Sequence, residues 1–234
     1  MGNVSSLAFI VGTSLFESKI FETFEHESLT TEYGEVNLYR DNRFLMVPRH
    51  GVKKNIPPHR INHKANIAAI KKLDVERIVA INSVGSLKKE IRPGTLVVPH
   101  DYINFWSINT FFDNKIHHII PGLDEETRRF IISQVKNVGG EVVENGIYIQ
   151  TTGPRLETKS EINLLKKFGD IVGMTMANEA TLSKETDIPY ATLCSVDNYC
   201  HGIIKEELTY EKIREASKRS LSIIEAFIKN ILKK

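Results

Sequence analysis

The sequence predicts an α/β fold in a single domain, residues 1–234, with helices flanking a mixed, mostly parallel and twisted sheet. Short apolar runs of strand length alternate with segments of helical spacing along the whole chain. No shift in composition, internal repeat or low-complexity linker divides it. Because 234 residues are enough for one sizeable hydrophobic core, we expect no second domain.

The predicted elements follow in order along the chain. Strands are assigned to short apolar runs, several of which end at a glycine or proline: 7–11, 43–48, 77–82, 94–99, 146–151, 170–174 and 190–196. Helices are assigned to segments with apolar residues at helical spacing: 61–73, 124–140, 159–169, 178–187 and 207–232. The helix over 124–140 begins with acidic residues and stops at glycines, as the helix dipole and the C-cap preference favour.

Composition and charge exclude several classes of protein. The chain is 41% hydrophobic and 26% charged, and its net charge is only +2, so nothing demands a nucleic acid or an anionic membrane as partner. No apolar run reaches the roughly 18 residues that a membrane span needs. The two cysteines, Cys194 and Cys200, are too few for a disulfide framework and have no metal-ligand spacing. We therefore expect a soluble cytoplasmic protein without a metal.

Polar groups follow the predicted strands, and in α/β folds the carboxyl ends of strands carry the functional residues. The groups are Thr13 and Ser14, Arg49 and His50, the "NSVGS" stretch 82–86, the "TTGPRLET" stretch 151–158, Thr175, and Asp197 with Asn198. Hydroxyls, backbone turns, one arginine and one histidine suit an oxyanion such as phosphate. The chain has neither a P-loop lysine motif nor a GxGxxG motif.

Glu157 lies directly before a predicted helix and has two interpretations. Thr158 and Glu161 have the spacing of a capping box, so they account for the helix start without Glu157. Glu157 is then either a solvated acid near a helix N-terminus, which the dipole favours, or a carboxylate directed at a ligand. The residues alone leave both open.

The chain resembles the purine nucleoside phosphorylase and methylthioadenosine phosphorylase family of the trimeric type. The matching segments occur in the family's order and cover most of the chain: "VGTSLFES", "RHGVKKNIPPHRINHKANI", "NSVGSLKKEIRPGTLVVPHDYIN", "GPRLETKSEI" and "GMTMANEA". The resemblance implies reversible phosphorolysis, in which a purine nucleoside and inorganic phosphate give the free base and a sugar 1-phosphate. It also implies a sheet closed into a distorted barrel, and neither a metal nor an organic cofactor.

The resemblance implies a role for individual residues. Phosphate would be bound by Thr13, Arg49, His50, Thr175 and the turn around Ser83, Val84 and Gly85, with Arg49 supplying a cationic fork. Met174 would lie under the ribose, although core filling is the other interpretation. Asn198 would stabilise the departing purine through N7 and the group at position 6, which gives Asn198, Arg49 and His50 as catalytic residues.

Glu157 and Asn198 predict which class of purine the site binds, a 6-oxopurine or adenine. An ionised carboxylate only accepts hydrogen bonds, so Glu157 can accept N1–H of a 6-oxopurine but not pair with N1 of adenine. If the last strand ends one residue earlier, Asp197 reads an amino group instead, and the chain is then a 5′-methylthioadenosine phosphorylase. At the sugar 5′ position, Leu208, Tyr210 and Ile213 would suit a methylthio group and His201 a hydroxyl.

Two other functions, and the question of whether the chain associates with copies of itself, remain open. A phosphate-independent nucleosidase or a non-catalytic nucleoside-binding protein could share the fold. The segment 103–112, "INFWSINTFF", is rich in aromatic and apolar residues, which predicts either a core strand with its loop or an interface that closes a neighbour's site. The resemblance implies the second, in a homotrimer or hexamer.

Overall fold

A computed structural model describes residues 7–15, 18–106, 108–205 and 209–233, without the side chains at 210, 212, 214 and 216–219. The strands are β1 (Leu7–Val11), β2 (Glu25–Thr31), β3 (Gly34–Arg40), β4 (Phe44–Pro48), β5 (Ile78–Ser86), β6 (Leu96–Val97), β7 (Asp101–Ile103), β8 (Val142–Val143), β9 (Ile147–Gln150), β10 (Ile171–Gly173) and β11 (Tyr190–Tyr199). The helices are α1 (His63–Lys72), α2 (Glu125–Asn137), α3 (Lys159–Leu165), α4 (Met176–Glu185) and α5 (Tyr210–Leu232).

Each predicted strand and helix is present, but several boundaries differ. β5 and β11 continue beyond their apolar runs because each pairs with the other along its whole length. Ser83, Val84 and Gly85 therefore lie in strand β5 and not in a turn. The hairpin of β2 and β3 is not predicted from the sequence, because its first strand, "EHESLTT", is polar and largely solvent-exposed.

The strands form one mixed α/β sheet, and the sheet branches. Its main path runs β2-β3-β4-β1-β5-β10-β9-β7, while β11, β6 and β8 continue from β5 on a second path. Six of the ten ladders between described strands are parallel. The expected closed barrel is not found: among the described strands the ends of the two paths do not pair, and β5 pairs first with β1 and then, at Gly85 and Ser86, with β10.

A β-bulge interrupts the long ladder between β5 and β11. Val196 pairs with Val84 and Asn198 with Gly85, so Asp197 is the extra residue. Successive side chains of a regular strand point to opposite faces, and a bulge breaks that alternation and re-aims a side chain. The bulge lies at the end of β11, where the sequence predicts site residues.

Helices cover both faces of the sheet. Along β1, Ala8 and Ile10 pack in a core cluster that contains residues of α1 and α4, whereas Phe9 packs in a second cluster with residues of α2 and α5. A strand buried on both faces reads as a continuous apolar run, which explains why "LAFIV" is recognisable from the sequence. In the described part of the chain, no helix is long and apolar enough to span a bilayer.

Candidate active site

The residues predicted to form the site line one cavity at the carboxyl ends of β1, β4 and β5 and at the ends of β10 and β11. Its walls include Thr13, Arg49, His50, Ser83, Val84, Gly85, Glu157, Met174, Thr175, Asp197 and Asn198. His201 and Ile213, predicted for the sugar 5′ position, also line it. Six further residues of the cavity wall are not predicted from the sequence, because nothing in their local sequence distinguishes them from core or loop residues: Gly12, Pro58, Leu156, Val172, Gly173 and Cys200.

Arg49 extends from the end of β4 into the protein interior. Its Nε donates to Oε1 of Glu179 at 2.6 Å and its Nη2 to Oε2 at 3.1 Å, and both side chains are 1% exposed. Nη1 donates to the carbonyl of Ile81 at 2.6 Å and Nη2 to that of Ile10 at 3.2 Å. The fork expected to face phosphate is thus directed at Glu179, and Nη1 is the nitrogen with a remaining N–H.

The environment of Arg49 keeps it charged and in place. Burial disfavours its charge, but the Glu179 carboxylate outweighs burial, so the pKa of Arg49 lies above its ordinary value. A Cβ on Gly12 would lie 2.5 Å from Nη1 of Arg49, which is closer than atoms pack. Glycine at position 12 therefore makes room for the guanidinium.

Two histidines beside Arg49 are neutral at neutral pH. Burial lowers the pKa of His50, and burial together with Arg49 lowers that of His63 to about 3. His63 Nδ1 lies 3.9 Å from Glu179 Oε1, but Arg49 already balances that carboxylate. Nδ1 of His50 lies 2.8 Å from the carbonyl of Ile56. Because a carbonyl only accepts, Nδ1 carries the proton and Nε2 of the neutral ring the lone pair.

Hydroxyl groups gather next to the guanidinium. Thr13 Oγ1 donates to Ser83 Oγ at 2.9 Å, which joins the loop after β1 to strand β5. Asn82 Nδ2 donates to Thr175 Oγ1 at 2.8 Å, which joins β5 to the start of α4. Ser83 and Thr175 each accept one of these bonds and keep a hydroxyl proton, so with Nη1 of Arg49 they form a group of donors suited to an oxyanion.

Glu157 takes no part in starting α3. Thr158 and Glu161 form both bonds of the capping box, as the spacing predicts. Arg155 makes two 2.8 Å hydrogen bonds to Glu161 and is absent from the cavity wall. Glu157 itself lines the cavity, and Thr151 donates to its Oε1 at 2.6 Å. The carboxylate is thereby held against the wall.

The bulge in β11 places Asp197 and Asn198 on the same cavity. Asp197 is 5% exposed and accepts a 2.7 Å hydrogen bond from Ser195. Asn198 is half-buried, and its Nδ2 donates to the carbonyl of Tyr199 at 3.0 Å. A Cβ on Gly85 would lie 2.6 Å from Cys200 Sγ and 3.2 Å from Asn198 Nδ2. Gly85 therefore lets β11 bring these side chains to the wall.

Met174 and the end of α5 complete the cavity. A Cβ on Gly153, whose φ is +63°, would lie 2.5 Å from Met174 Sδ. Ile213, from α5, lines the cavity, while Leu208 and the side chain of Tyr210 lie outside the described residues. Among described residues, no group of three His, Cys, Asp or Glu side chains is placed to hold a metal ion.

The fold and this cavity define an α/β enzyme of the nucleoside phosphorylase class, and comparison with known proteins agrees. The pattern of the Phosphorylase superfamily matches residues 7–233, and the chain belongs to this superfamily. A Methanocaldococcus jannaschii protein named as a probable S-methyl-5′-thioinosine phosphorylase is 41% identical over 95% of this chain and 91% of its own. An Archaeoglobus fulgidus protein named as a probable 6-oxopurine nucleoside phosphorylase is 38% identical over 96% of both chains.

The fold also matches solved structures. A methylthioadenosine phosphorylase from Schistosoma mansoni in complex with adenine superposes with a TM-score of 0.87. The match covers 96% of this chain and 89% of that chain at 24% sequence identity. At this identity, the similarity shows a shared fold.

Replacing Arg49 with alanine should destabilise the protein, because Glu179 would keep a buried charge without its counter-ion. We expect the free energy of unfolding to fall by about 3–5 kcal/mol, measured by urea denaturation. Arg49→Met combined with Glu179→Met removes both charges and should recover most of that loss. An Arg49→Ala variant as stable as the wild type would contradict the role of the ion pair.

Proposed function

We propose that this protein catalyses the phosphorolysis of 6-oxopurine nucleosides to the free base and ribose or methylthioribose 1-phosphate. The observation that carries the proposal is a single cavity that joins a group of oxyanion donors to the Glu157 carboxylate and the Asn198 amide. The names of the relatives at 38% and 41% identity support the same activity. Inorganic phosphate is then a co-substrate, and the reaction needs neither a metal nor an organic cofactor.

The donor group would bind phosphate and hold it for attack. The hydroxyls of Ser83 and Thr175 and Nη1 of Arg49 supply donors, and Thr13 orients the Ser83 hydroxyl by donating to its oxygen. A phosphate oxygen attacks C1′ as the glycosidic bond breaks through an oxocarbenium-like state, and the bonding electrons leave with the purine. Positioning of the two reactants and stabilisation of the leaving anion are the protein's main contributions.

His50 has a different part from the arginine. With its proton on Nδ1 and its pKa lowered, the neutral His50 ring lines the cavity beside Arg49 and contributes an acceptor nitrogen, not a second cation, to its wall. A neutral acceptor complements the donors, because the phosphate dianion HPO4²⁻ still carries one hydroxyl.

Glu157 and Asn198 would recognise the base. Thr151 occupies Oε1 of Glu157, and among described residues no hydrogen bond is made to Oε2, which would accept N1–H of hypoxanthine or guanine. Asn198 would accept N7–H through its Oδ1 and donate to O6, so it stabilises the purine as it departs. Asp197 already accepts from Ser195, which favours Asn198 as the residue that reads the base. Met174 would lie under the ribose.

The 5′ substituent is proposed to be a methylthio group. Ile213 supplies apolar surface to the cavity, as a methylthio group requires. His201 also lines the cavity and favours a hydroxyl, so inosine and guanosine are the competing substrates. The second candidate function is a 5′-methylthioadenosine phosphorylase, which Asp197 at the cavity wall would favour. We place the protein in the cytoplasm, with the whole chain, residues 1–234, as one catalytic unit.

The wild-type enzyme should release base from 5′-methylthioinosine and inosine only when phosphate is present. The measurement compares 5′-methylthioinosine, inosine, guanosine, adenosine and 5′-methylthioadenosine, each with and without phosphate. Base release without phosphate would identify a nucleosidase, and binding without turnover a non-catalytic nucleoside-binding protein. Either result would overturn the proposed function.

Glu157→Ser combined with Asn198→Asp should move the preference toward adenine nucleosides, with lower total activity. Wild-type Glu157 pairs with N1–H, and a buried polar group that loses its partner costs several kcal/mol, or more than about a hundredfold in kcat/KM. Glu161→Gln is the matched control, because Glu161 caps α3 beside the cavity and should leave the preference unchanged. Equal wild-type cleavage of methylthioinosine and methylthioadenosine would rule out this role of Glu157.

The active species is proposed to be a homotrimer, or a hexamer built from trimers, with segment 103–112 at the interface. Phe105, Trp106 and Ile108 are 78%, 52% and 67% exposed, whereas Ser107 lies outside the described residues. Exposed clustered aromatic residues are typical of interfaces. Sedimentation velocity at assay concentration should give a trimer or hexamer, and Trp106→Glu should weaken it. An active wild-type monomer would refute the interface.

A further inference from the structure

The side chain of Asn82 lies between the buried ion pair and the cavity. It extends from β5, is 1% exposed, and uses both ends of its carboxamide. Oδ1 accepts from Thr192 Oγ1 at 2.7 Å and from Arg49 Nη2 at 3.4 Å. Nδ2 donates to Thr175 Oγ1 at 2.8 Å. Asn82 thus connects Arg49 to a hydroxyl on the cavity wall.

Arg49 fixes which way the Asn82 carboxamide points. A guanidinium has only donors, so the Asn82 atom facing Nη2 must be the oxygen. If the carboxamide were rotated by a half-turn, two N–H donors would face each other in a buried site, which is costly. Glu179 in turn holds Arg49 through two hydrogen bonds. The nitrogen of Asn82 therefore always faces Thr175.

The orientation of Asn82 decides what the Thr175 hydroxyl can do. Because Nδ2 donates to Oγ1, the hydroxyl accepts from Asn82 and must send its own proton elsewhere. Among described residues, no acceptor for that proton is found, and Thr175 lines the cavity. A hydroxyl oriented in this way presents a donor to the cavity.

The start of α4 is built so that this hydroxyl is not needed there. Thr175 is the N-cap residue, and an N-cap threonine ordinarily accepts a hydrogen bond from the first turn of its helix. Here its side chain makes no cap hydrogen bond. Gln150 Oε1 accepts from Ala177 N at 2.7 Å instead, and the hydroxyl of Tyr148 lies 3.4 Å from Met176 N.

We infer that Asn82 is a positioning residue for phosphate binding, which makes the Thr175 hydroxyl an obligatory donor to the oxyanion. Asn82 acts through Thr175 and touches no substrate itself. The inference rests on the proposed function for the identity of the oxyanion, and it assigns the donor direction of one group in that site. Three of the four oxygens of the phosphate dianion HPO4²⁻ carry no proton and only accept, so a hydroxyl that presents its proton to them stabilises the anion, and one that presents lone pairs repels it.

The experiment measures inorganic phosphate binding by isothermal titration calorimetry, and KM for phosphate and for nucleoside where the enzyme turns over. Asn82→Asp reverses the direction of the hydrogen bond between residues 82 and 175, because a carboxylate only accepts and the Thr175 hydroxyl must then donate to it. Asn82→Leu is similar in size and neutral, and frees the hydroxyl to rotate. Thr175→Val removes the hydroxyl. Gln134→Glu, which alters a buried amide on α2 away from the cavity, is the control for the cost of a new buried carboxylate.

We expect Kd and KM for phosphate to rise about tenfold or more in Asn82→Asp and Thr175→Val and about threefold in Asn82→Leu. KM for nucleoside should stay within about twofold in each. Adding Asn82→Leu to Thr175→Val should cost little more, because the two residues act through one hydroxyl. If Asn82→Asp does not fold, the double-mutant cycle of the two uncharged substitutions, Asn82→Leu and Thr175→Val, is sufficient to test the inference.

Three results would overturn the inference. Phosphate affinity could be unchanged in Asn82→Leu, the effects of Asn82→Leu and Thr175→Val could multiply, or KM for nucleoside could rise as much as KM for phosphate. The proposed function fails separately, if the wild type binds phosphate but does not cleave nucleosides, because the binding measurements still test Asn82. If the wild-type protein binds no phosphate, both the inference about Asn82 and the proposed function are refuted.

Discussion

The buried ion pair between Arg49 and Glu179 is the interaction on which the candidate site depends. Arg49 leaves the end of β4, donates to main-chain carbonyls in β1 and β5, and meets Glu179 on α4. One side chain therefore ties three neighbouring strands and a helix together at the edge where the cavity opens. Burying two charges has a large desolvation cost that the mutual attraction offsets only with good geometry. The geometry of the pair consequently fixes β1, β4, β5 and α4 relative to one another beside the cavity.

The same pair explains how the cavity could hold an anion without an excess of positive charge. Glu179 balances Arg49, and His50 and His63 are neutral because burial lowers their pKa values. The attraction for an oxyanion then comes from directed N–H and O–H groups, whose strength depends on orientation. Such a site discriminates by geometry, and it distinguishes protonation states of a ligand more sharply than a cluster of lysines would.

Local signals in the sequence predicted what is local in the structure. The run "LAFIV" predicts a strand because both of its faces are buried, and Thr158 with Glu161 predict a capping box that forms with both hydrogen bonds. The partner of Arg49 lies 130 residues away, and although the matching segment "GMTMANEA" contains Glu179, nothing local to that segment shows that its carboxylate pairs with Arg49. The polar strand β2 and the bulge at Asp197 depend on their pairing partners, and the branched sheet depends on β5 pairing with β1, β10 and β11. A resemblance to a family supplied the site residues, but not the direction in which Arg49 points.

The branching of the sheet at β5 has a consequence for how the chain is made. Three strands pair with β5, and β11 is the one that pairs along its whole length. β11 follows more than a hundred residues later in the chain. The hydrogen bond from Thr192 to the carbonyl of Ala80, for example, joins residues 112 positions apart. A nascent chain therefore emerges from the ribosome with an apolar central strand whose longest edge stays open until most of the polypeptide has been synthesised. Pairing between distant segments is slow and leaves strand edges available for wrong partners. Until β11 has been synthesised, the early part of this chain therefore exposes an apolar strand edge that can pair wrongly or aggregate.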